Sequence, residues 1–215
     1  MALAYDTTGG TEANASSITF SHTCSGSNRI LFVGVSDETG TDAEHVTGVT
    51  YASVAMTKID SQRNSGASPN YFEYLYYLIN PASGANNVVV SANEVVNLRA
   101  ISLSYTGALQ SGQPDAFGKA TSATTDLSVS VTVVASNCWI VSVGQGLGTT
   151  PTAGTGITSR NNLNNIRVGD SNGVVATGVN TVHWTNGTSL DMAGISASFA
   201  PAPEAGTTGL QSKYW

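Results

Sequence analysis

Short apolar segments recur along this chain at a spacing of roughly 8 to 12 residues, each bounded by Gly, Asn or Ser turns. That rhythm is the pattern of a β-sandwich or barrel. No window of 11 or more residues carries apolar positions at i, i+3, i+4 and i+7 free of interrupting Gly, Thr or Val clusters. Helices are therefore not expected, and the chain reads as an all-β, antiparallel two-sheet sandwich.

The densest early run is Ile30-Leu-Phe-Val-Gly-Val35, entered from the polar turn Ser25-Gly-Ser-Asn-Arg29. It reads as a strand buried on both faces. Ser16 to Thr23 alternates, with Ile18, Phe20 and His22 on one face. Val46 to Ile59 reads as two strands with a turn near Ala52-Ser53. In Tyr71 to Ile79, Phe72, Tyr74, Tyr76 and Leu78 share one face, and Tyr71, Glu73, Leu75, Tyr77 and Ile79 the other. Two apolar faces place that strand centrally in a sheet. Leu127 to Val133 alternates as a half-buried strand. Asn137 to Val143, with Trp139, reads as central, and Leu190 to Phe199 as the closing strand. The segments 37–44, 61–70, 109–125 and 144–156 read as loops. With no composition break, residues 1–200 are expected to form one domain and 201–215 an extended tail.

Only 10% of the 215 residues are charged, against the roughly 25% usual in soluble domains. Ser, Thr, Asn and Gly fill the surface instead. The net charge of −6 and the scattered basic residues argue against a nucleic-acid partner, which needs clustered Lys and Arg. No run approaches the 18 apolar residues of a membrane span. Met1-Ala-Leu-Ala-Tyr-Asp6 has neither the basic nor the apolar part of a signal peptide. Cys24 and Cys138 are either one disulfide or two small buried hydrophobes, and spacing does not choose between them.

Residues that carry chemistry are sparse. His22, His45 and His183 have no metal-ligand spacing, so no metal site is expected. Asp37, Glu38, Asp42 and Glu44 could supply oxygens to Ca²⁺, which takes six to eight. Their spacing does not match the calcium-loop pattern, and a solvated loop is the expectation. Glu73 lacks the second acid that glycoside hydrolysis needs and is expected to point outward. Gly144-Gln-Gly-Leu-Gly148 is followed by no helix, so neither a phosphate cradle nor a cofactor is expected. Tyr71, Tyr74, Tyr76 and Tyr77 read as core and interface, or else as a ligand-facing stacking platform for sugar. Gly209-Leu-Gln-Ser-Lys-Tyr-Trp215 ends in aromatics that are costly to leave exposed. Leu210, Tyr214 and Trp215 are therefore candidate docking residues, onto a neighbouring protein or back onto their own domain.

The segments FSHTCSGSNRILFVGV (20–35), VTGVTYASVAMTK (46–58), EYLYYLINP (73–81), SYTG (104–107) and DAFG (115–118) together resemble a family of uncharacterised jelly-roll β-sandwich domains. Such domains occur in tailed-phage virion proteins and bacterial surface proteins. The resemblance implies a jelly-roll, concanavalin-like sandwich with a structural or binding role, and it brings no catalytic residues. Its members tend to have Asn-Gly where this chain has Ala52-Ser53.

Two functions are expected from this reading. The first is a non-enzymatic virion structural protein made in the host cytoplasm, a capsid decoration or other head-associated protein. Its partners would be other virion proteins or further copies of itself in a homo-oligomer. The second is a carbohydrate-binding or adhesion module of a phage tail or bacterial cell surface, with a glycan as partner. A glycan hydrolase ranks last.

Overall fold

The computed structural model describes residues 1–39, 41–64, 66 and 70–204. Its strands are β1 (Ala4–Cys24), β2 (Ile30–Thr39), β3 (Val46–Tyr51), β4 (Val54–Ala55), β5 (Thr57–Arg63), β6 (Asn70–Ile79), β7 (Gly84–Thr106), β8 (Ala116–Ser122), β9 (Asp126–Val133), β10 (Trp139–Gly146), β11 (Thr152–Ala153), β12 (Thr158–Leu163), β13 (Ile166–Asp170), β14 (Gly178–Thr185) and β15 (Met192–Phe199). No helix occurs among the described residues.

The strands form antiparallel sheets that pack against one another, as a sandwich requires. Hydrogen bonding divides them into three sheets rather than two. A seven-stranded sheet runs β4-β3-β7-β2-β6-β5, with β1 on the other edge of β7. A five-stranded sheet runs β12-β13-β10-β15-β8, and a three-stranded sheet β11-β14-β9.

Strand β7 organises the first half of the chain. Its residues 88–92 pair with β3 and its residues 97–105 with β2, both on one edge, while β1 follows nearly its whole length on the other. The apolar residues on one face of this sheet, from Ile18 and Phe20 through Leu31, Val33 and Val35 to Val88 and Val90, pack with each other. They include nothing from another sheet, so the large sheet closes over its own face. Its other face meets the five-stranded sheet in a middle seam: Ile30, Phe32, Leu75, Ile101, Leu103 and Tyr105 against Val141, Val143, Ile166, Val168, Ile195 and Phe199. The far face of the five-stranded sheet packs on β9 and β14 around Trp184.

Strands caught between two seams are apolar on both sides. This is why β2 and β6, and also β15, are buried almost throughout. Close approach also dictates composition. A Cβ on Gly34 would lie 2.8 Å from Val143 Cγ2, and one on Gly144 would lie 2.6 Å from Trp184 Cγ. Both positions must lack side chains for the layers to meet.

Several expectations change. The first half of β1 is largely polar and half-buried or exposed, so alternation revealed only its second half. Strand β8 lies inside the expected 109–125 loop as an edge strand beside β15, and its alternate residues are exposed. Strand β15 is central, between β10 and β8. The turn at Ala52-Ser53 is where the sequence puts it. Both residues have positive φ, 50° and 65°, the conformation that favours Asn-Gly in two-residue hairpins. Cys24 and Cys138 are free, buried thiols. They belong to different seams, Cys24 inside the large sheet and Cys138 beside β9, which rules out their pairing.

Candidate functional site

The middle seam ends in polar residues on both sides, and each end can be built from strand register. At the first end, Ile30 pairs with Tyr105 across β2 and β7. The Tyr105 hydroxyl donates to Asp170 Oδ2 at 2.8 Å. Arg160 binds both oxygens of the same carboxylate, Nε to Oδ2 at 2.8 Å and Nη2 to Oδ1 at 2.9 Å. The Asn172 amide adds a further bond at 2.8 Å. The Arg160 guanidinium also lies over the Tyr5 ring, 4.4 Å from its centroid. Burial, and then the neighbouring carboxylate, push the Tyr105 phenol well above its ordinary range.

At the second end, one cross-strand row holds Glu12 (β1), Arg99 (β7), Ser36 (β2), Glu73 (β6) and Gln62 (β5). Ser36 and Glu73 are fully buried, and so is Gln145 on the facing side of β10. Among the described residues, none of Glu73 Oε1, Glu73 Oε2, Ser36 Oγ or the two polar atoms of Gln145 has a hydrogen-bond partner. Arg99 Nη1 is also unpartnered there, while its Nη2 reaches Glu38 at 3.0 Å. Burial raises the Glu73 carboxyl well above the ordinary carboxylate range. Asp37 adds to the rise and Arg99 opposes it. Glu73 therefore does not point outward to solvent as expected, because its β6 face is the seam face shared with Leu75.

The acidic segment 37–44 is not a solvated loop throughout. Asp37 continues β2 and is fully buried. It accepts from the Tyr74 hydroxyl at 2.8 Å, the Phe72 amide at 3.1 Å and the His45 amide at 3.2 Å. Burial pushes its carboxyl up, and these bonds pull it partly back. Glu38 pairs with Arg99, Asp42 with Arg63, and Glu44 with Lys58. The four acids thus diverge onto separate partners, and among the described residues no group of three or more His, Cys, Asp or Glu could hold a metal.

The tyrosines proposed to face a ligand turn inward. Tyr71, Tyr74 and Tyr76 are buried, and Tyr77 is half-buried against the middle seam. Burial pushes the Tyr71 and Tyr76 phenols up to about 12. Both faces of β6 are covered, so these rings cannot stack on sugar. Leu210, Tyr214 and Trp215 lie outside the described residues.

Beside the Tyr105 end of the seam lies an open groove of about 930 Å³. Leu3, Leu109, Trp139, Ala200 and Ala202 contribute apolar surface, and Val174 and Glu204 stand at its rim. Hydrogen bonds fix its walls. The Met1 amino group donates to Ala202 O and the Ala202 amide to Gly107 O, each at 2.7 Å. The Leu109 amide donates to Ala200 O at 2.9 Å. Asp115 accepts from the amides of Val134 and Ala135, each at 2.9 Å. Val174 is 65% exposed, and Val134, beside the lining residue Ala135, is 72% exposed. The groove offers apolar contact area on a hydrogen-bonded frame. Sequence reading missed it because its lining comes from five separated segments, and Trp139 read there simply as a strand residue.

A smaller polar pocket at the opposite end is lined by Glu12, Asn14, Asn97, Arg99 and Asn164. Comparison with family models, with curated proteins and with solved structures finds no match to this chain.

Proposed function

We propose that this chain is a non-enzymatic structural protein that docks into a larger assembly through its groove end. The assembly is a tailed-phage virion, and the protein is a head-associated or capsid-decoration component. The observation that carries the reading is the apolar groove on its hydrogen-bonded frame, with exposed Val174 in its lining and exposed Val134 next to lining residue Ala135. Contiguous exposed apolar surface marks protein-interaction sites. The low charge and the resemblance of segments 20–35, 46–58, 73–81, 104–107 and 115–118 supply the virion setting.

Mass spectrometry of purified particles tests the setting, and absence of the chain from them overturns it. Val174→Glu tests the surface. It changes an exposed residue, so the fold is retained, and incorporation into particles is expected to drop at least tenfold. Normal incorporation sinks the groove as the docking surface.

A second reading, glycan binding, is favoured by the amide, carboxylate and guanidinium groups around the polar pocket at Arg99. A glycan array tests it, and no binding at millimolar sugar removes it.

A further inference from the structure

The edge of a β-sheet presents unpaired amides and carbonyls, and soluble chains blunt such edges with brevity, charge or cover. Most edges of this molecule follow that rule. Strands β4 and β11 hold two residues each. Strand β5 carries Lys58, Asp60 and Arg63, β8 carries Lys119 and β12 carries Arg160. Strand β9 lies against β8, where the Ser130 carbonyl faces Gly118 too closely for a side chain to fit. Strand β1 is the exception. Among the described residues it pairs with β7 alone, so its other edge carries no strand. From Ser17 to Cys24 its register with β7 runs through eight pairs without a bulge. No Asp, Glu, Lys, Arg or Pro lies between Ala13 and Ser25. Ile18, Phe20, His22 and Cys24 are buried, while Ser17, Thr19, Ser21 and Thr23 are exposed. None of these residues lines the groove.

We propose that this edge is an interface between two copies of the chain: residues 17–24 of β1 pair antiparallel with the same residues of a second copy, joining two seven-stranded sheets across a twofold axis. The segment spans about 26 Å of strand. Its pattern is self-complementary. Residues directly opposite in an antiparallel pair lie on the same face. Every register that keeps the pleat therefore sets Ser and Thr beside Ser and Thr outside, and Ile18 and Phe20 beside their counterparts inside. Cross-strand Thr and Ser pairs add hydrogen bonds of their own. Charge selects the same surface. Each copy carries a net charge of −6, which opposes close approach of copies in general. Within residues 13–25 no register sets like charges opposite one another, because the segment has none. A twofold contact of this kind uses one edge from each copy and closes at two. The proposal goes beyond docking through the groove and does not depend on it.

The test is sedimentation equilibrium of the full-length chain and of two variants. The first carries Thr19→Lys and Ser21→Lys, which guards the edge with charge as β5 and β8 are guarded. Both positions are exposed, so the fold is retained. The wild type is expected to form a dimer, and the variant's dimer dissociation constant to rise at least about tenfold, because like charges opposite one another on paired strands repel. The second variant carries Thr19→Glu and Ser21→Glu and should be weakened in the same way. An equimolar mixture of the two should associate at least about tenfold more tightly than either alone, since opposite charges then face each other. Amides within 17–24 should exchange their hydrogens more slowly as the wild-type concentration rises, and the Lys variant should lose that dependence.

A wild type that stays monomeric at every concentration overturns the proposal. So does a dimer that the Lys substitutions leave intact, because the copies then meet through another surface. A mixture of the Lys and Glu variants that associates no more tightly than its components also overturns it, since the two strands would not face each other. Val174→Glu, in the groove, should leave the wild-type dimer unchanged. Loss of the dimer in that variant would move the contact to the groove and remove the edge as the interface.

Discussion

Asp170 and Glu73 are both fully buried carboxyl groups on the same seam, facing each other's sheets from opposite ends. Asp170 has a phenol, a bidentate guanidinium and an amide on its two oxygens. Glu73 has no hydrogen-bond partner among the described residues. A buried charge is retained when it is paired and hydrogen-bonded; otherwise the group neutralises. Asp170 therefore acts as a hydrogen-bonded bracket tying β12 and β13 to β7. Glu73 acts as a neutral acid beside Ser36 and Gln145, whose buried polar atoms likewise have no hydrogen-bond partner among the described residues.

The largest effect is expected at the paired end. Asp170→Ala leaves the Tyr105 hydroxyl without an acceptor and the Arg160 guanidinium with only Asn172 Oδ1. Breaking a buried pair by removing one partner costs about 3–5 kcal/mol. For a chain of this size the melting temperature should fall by roughly 10 °C. A loss below about 1 kcal/mol in urea denaturation would mean that water replaces the carboxylate freely, and that the bracket is no stronger than a surface ion pair.

Glu73→Gln should act in the opposite direction. Folded Glu73 keeps its proton at pH values where the unfolded chain has released it, because its ordinary value is 4.5 and burial lifts it well above that. Across that window the folded state binds more protons, so stability falls as pH rises. His22 opposes this slope. Burial lowers its imidazole to about 4 from 6.5, so the unfolded chain binds the extra proton between those values and stability rises with pH there. The variant is expected to match the wild type near pH 4 and to exceed it by about 1–3 kcal/mol at pH 7, with an unchanged denaturant slope. A variant less stable than the wild type at pH 7 would show that Glu73 is paired after all.

The same contrast explains what could be read from the sequence. The sandwich was legible because buried strands repeat apolar residues on one or both faces, as in 30–35 and 127–133. The first half of β1 and the edge strand β8 were not, because a strand that is only half-buried needs little apolar pattern, only a partner's amides and carbonyls. Glu73 alternates correctly with Tyr71 and Leu75, so its face was known, but not that a second sheet covers that face. Burial of Tyr71, Tyr74 and Tyr76 has the same cause. The groove was invisible for a third reason: it is assembled from chain ends and turns brought together by long-range pairing, which no local period encodes.

The smallest effect separates two serines of identical burial. Ser142 Oγ accepts from Trp184 Nε1 at 2.9 Å and from Ser196 Oγ at 2.8 Å. Ser36 Oγ, in the Glu73 row, has no partner among the described residues. Both side chains are fully buried at central strand positions. Ser142→Ala leaves a buried indole N–H and a buried hydroxyl without their acceptor, which costs about 1–3 kcal/mol. Ser36→Ala removes a polar atom that has already lost its water and gained nothing, so it should change stability by less than about 0.5 kcal/mol, or raise it slightly. Denaturation midpoints of the two variants decide the matter. Equal costs would mean that the Ser36 hydroxyl is bridged to Glu73 and Gln145 by enclosed water. The second end of the seam would then be a hydrated network rather than an unpaired one, and the contrast with Asp170 would reduce to direct against water-mediated pairing.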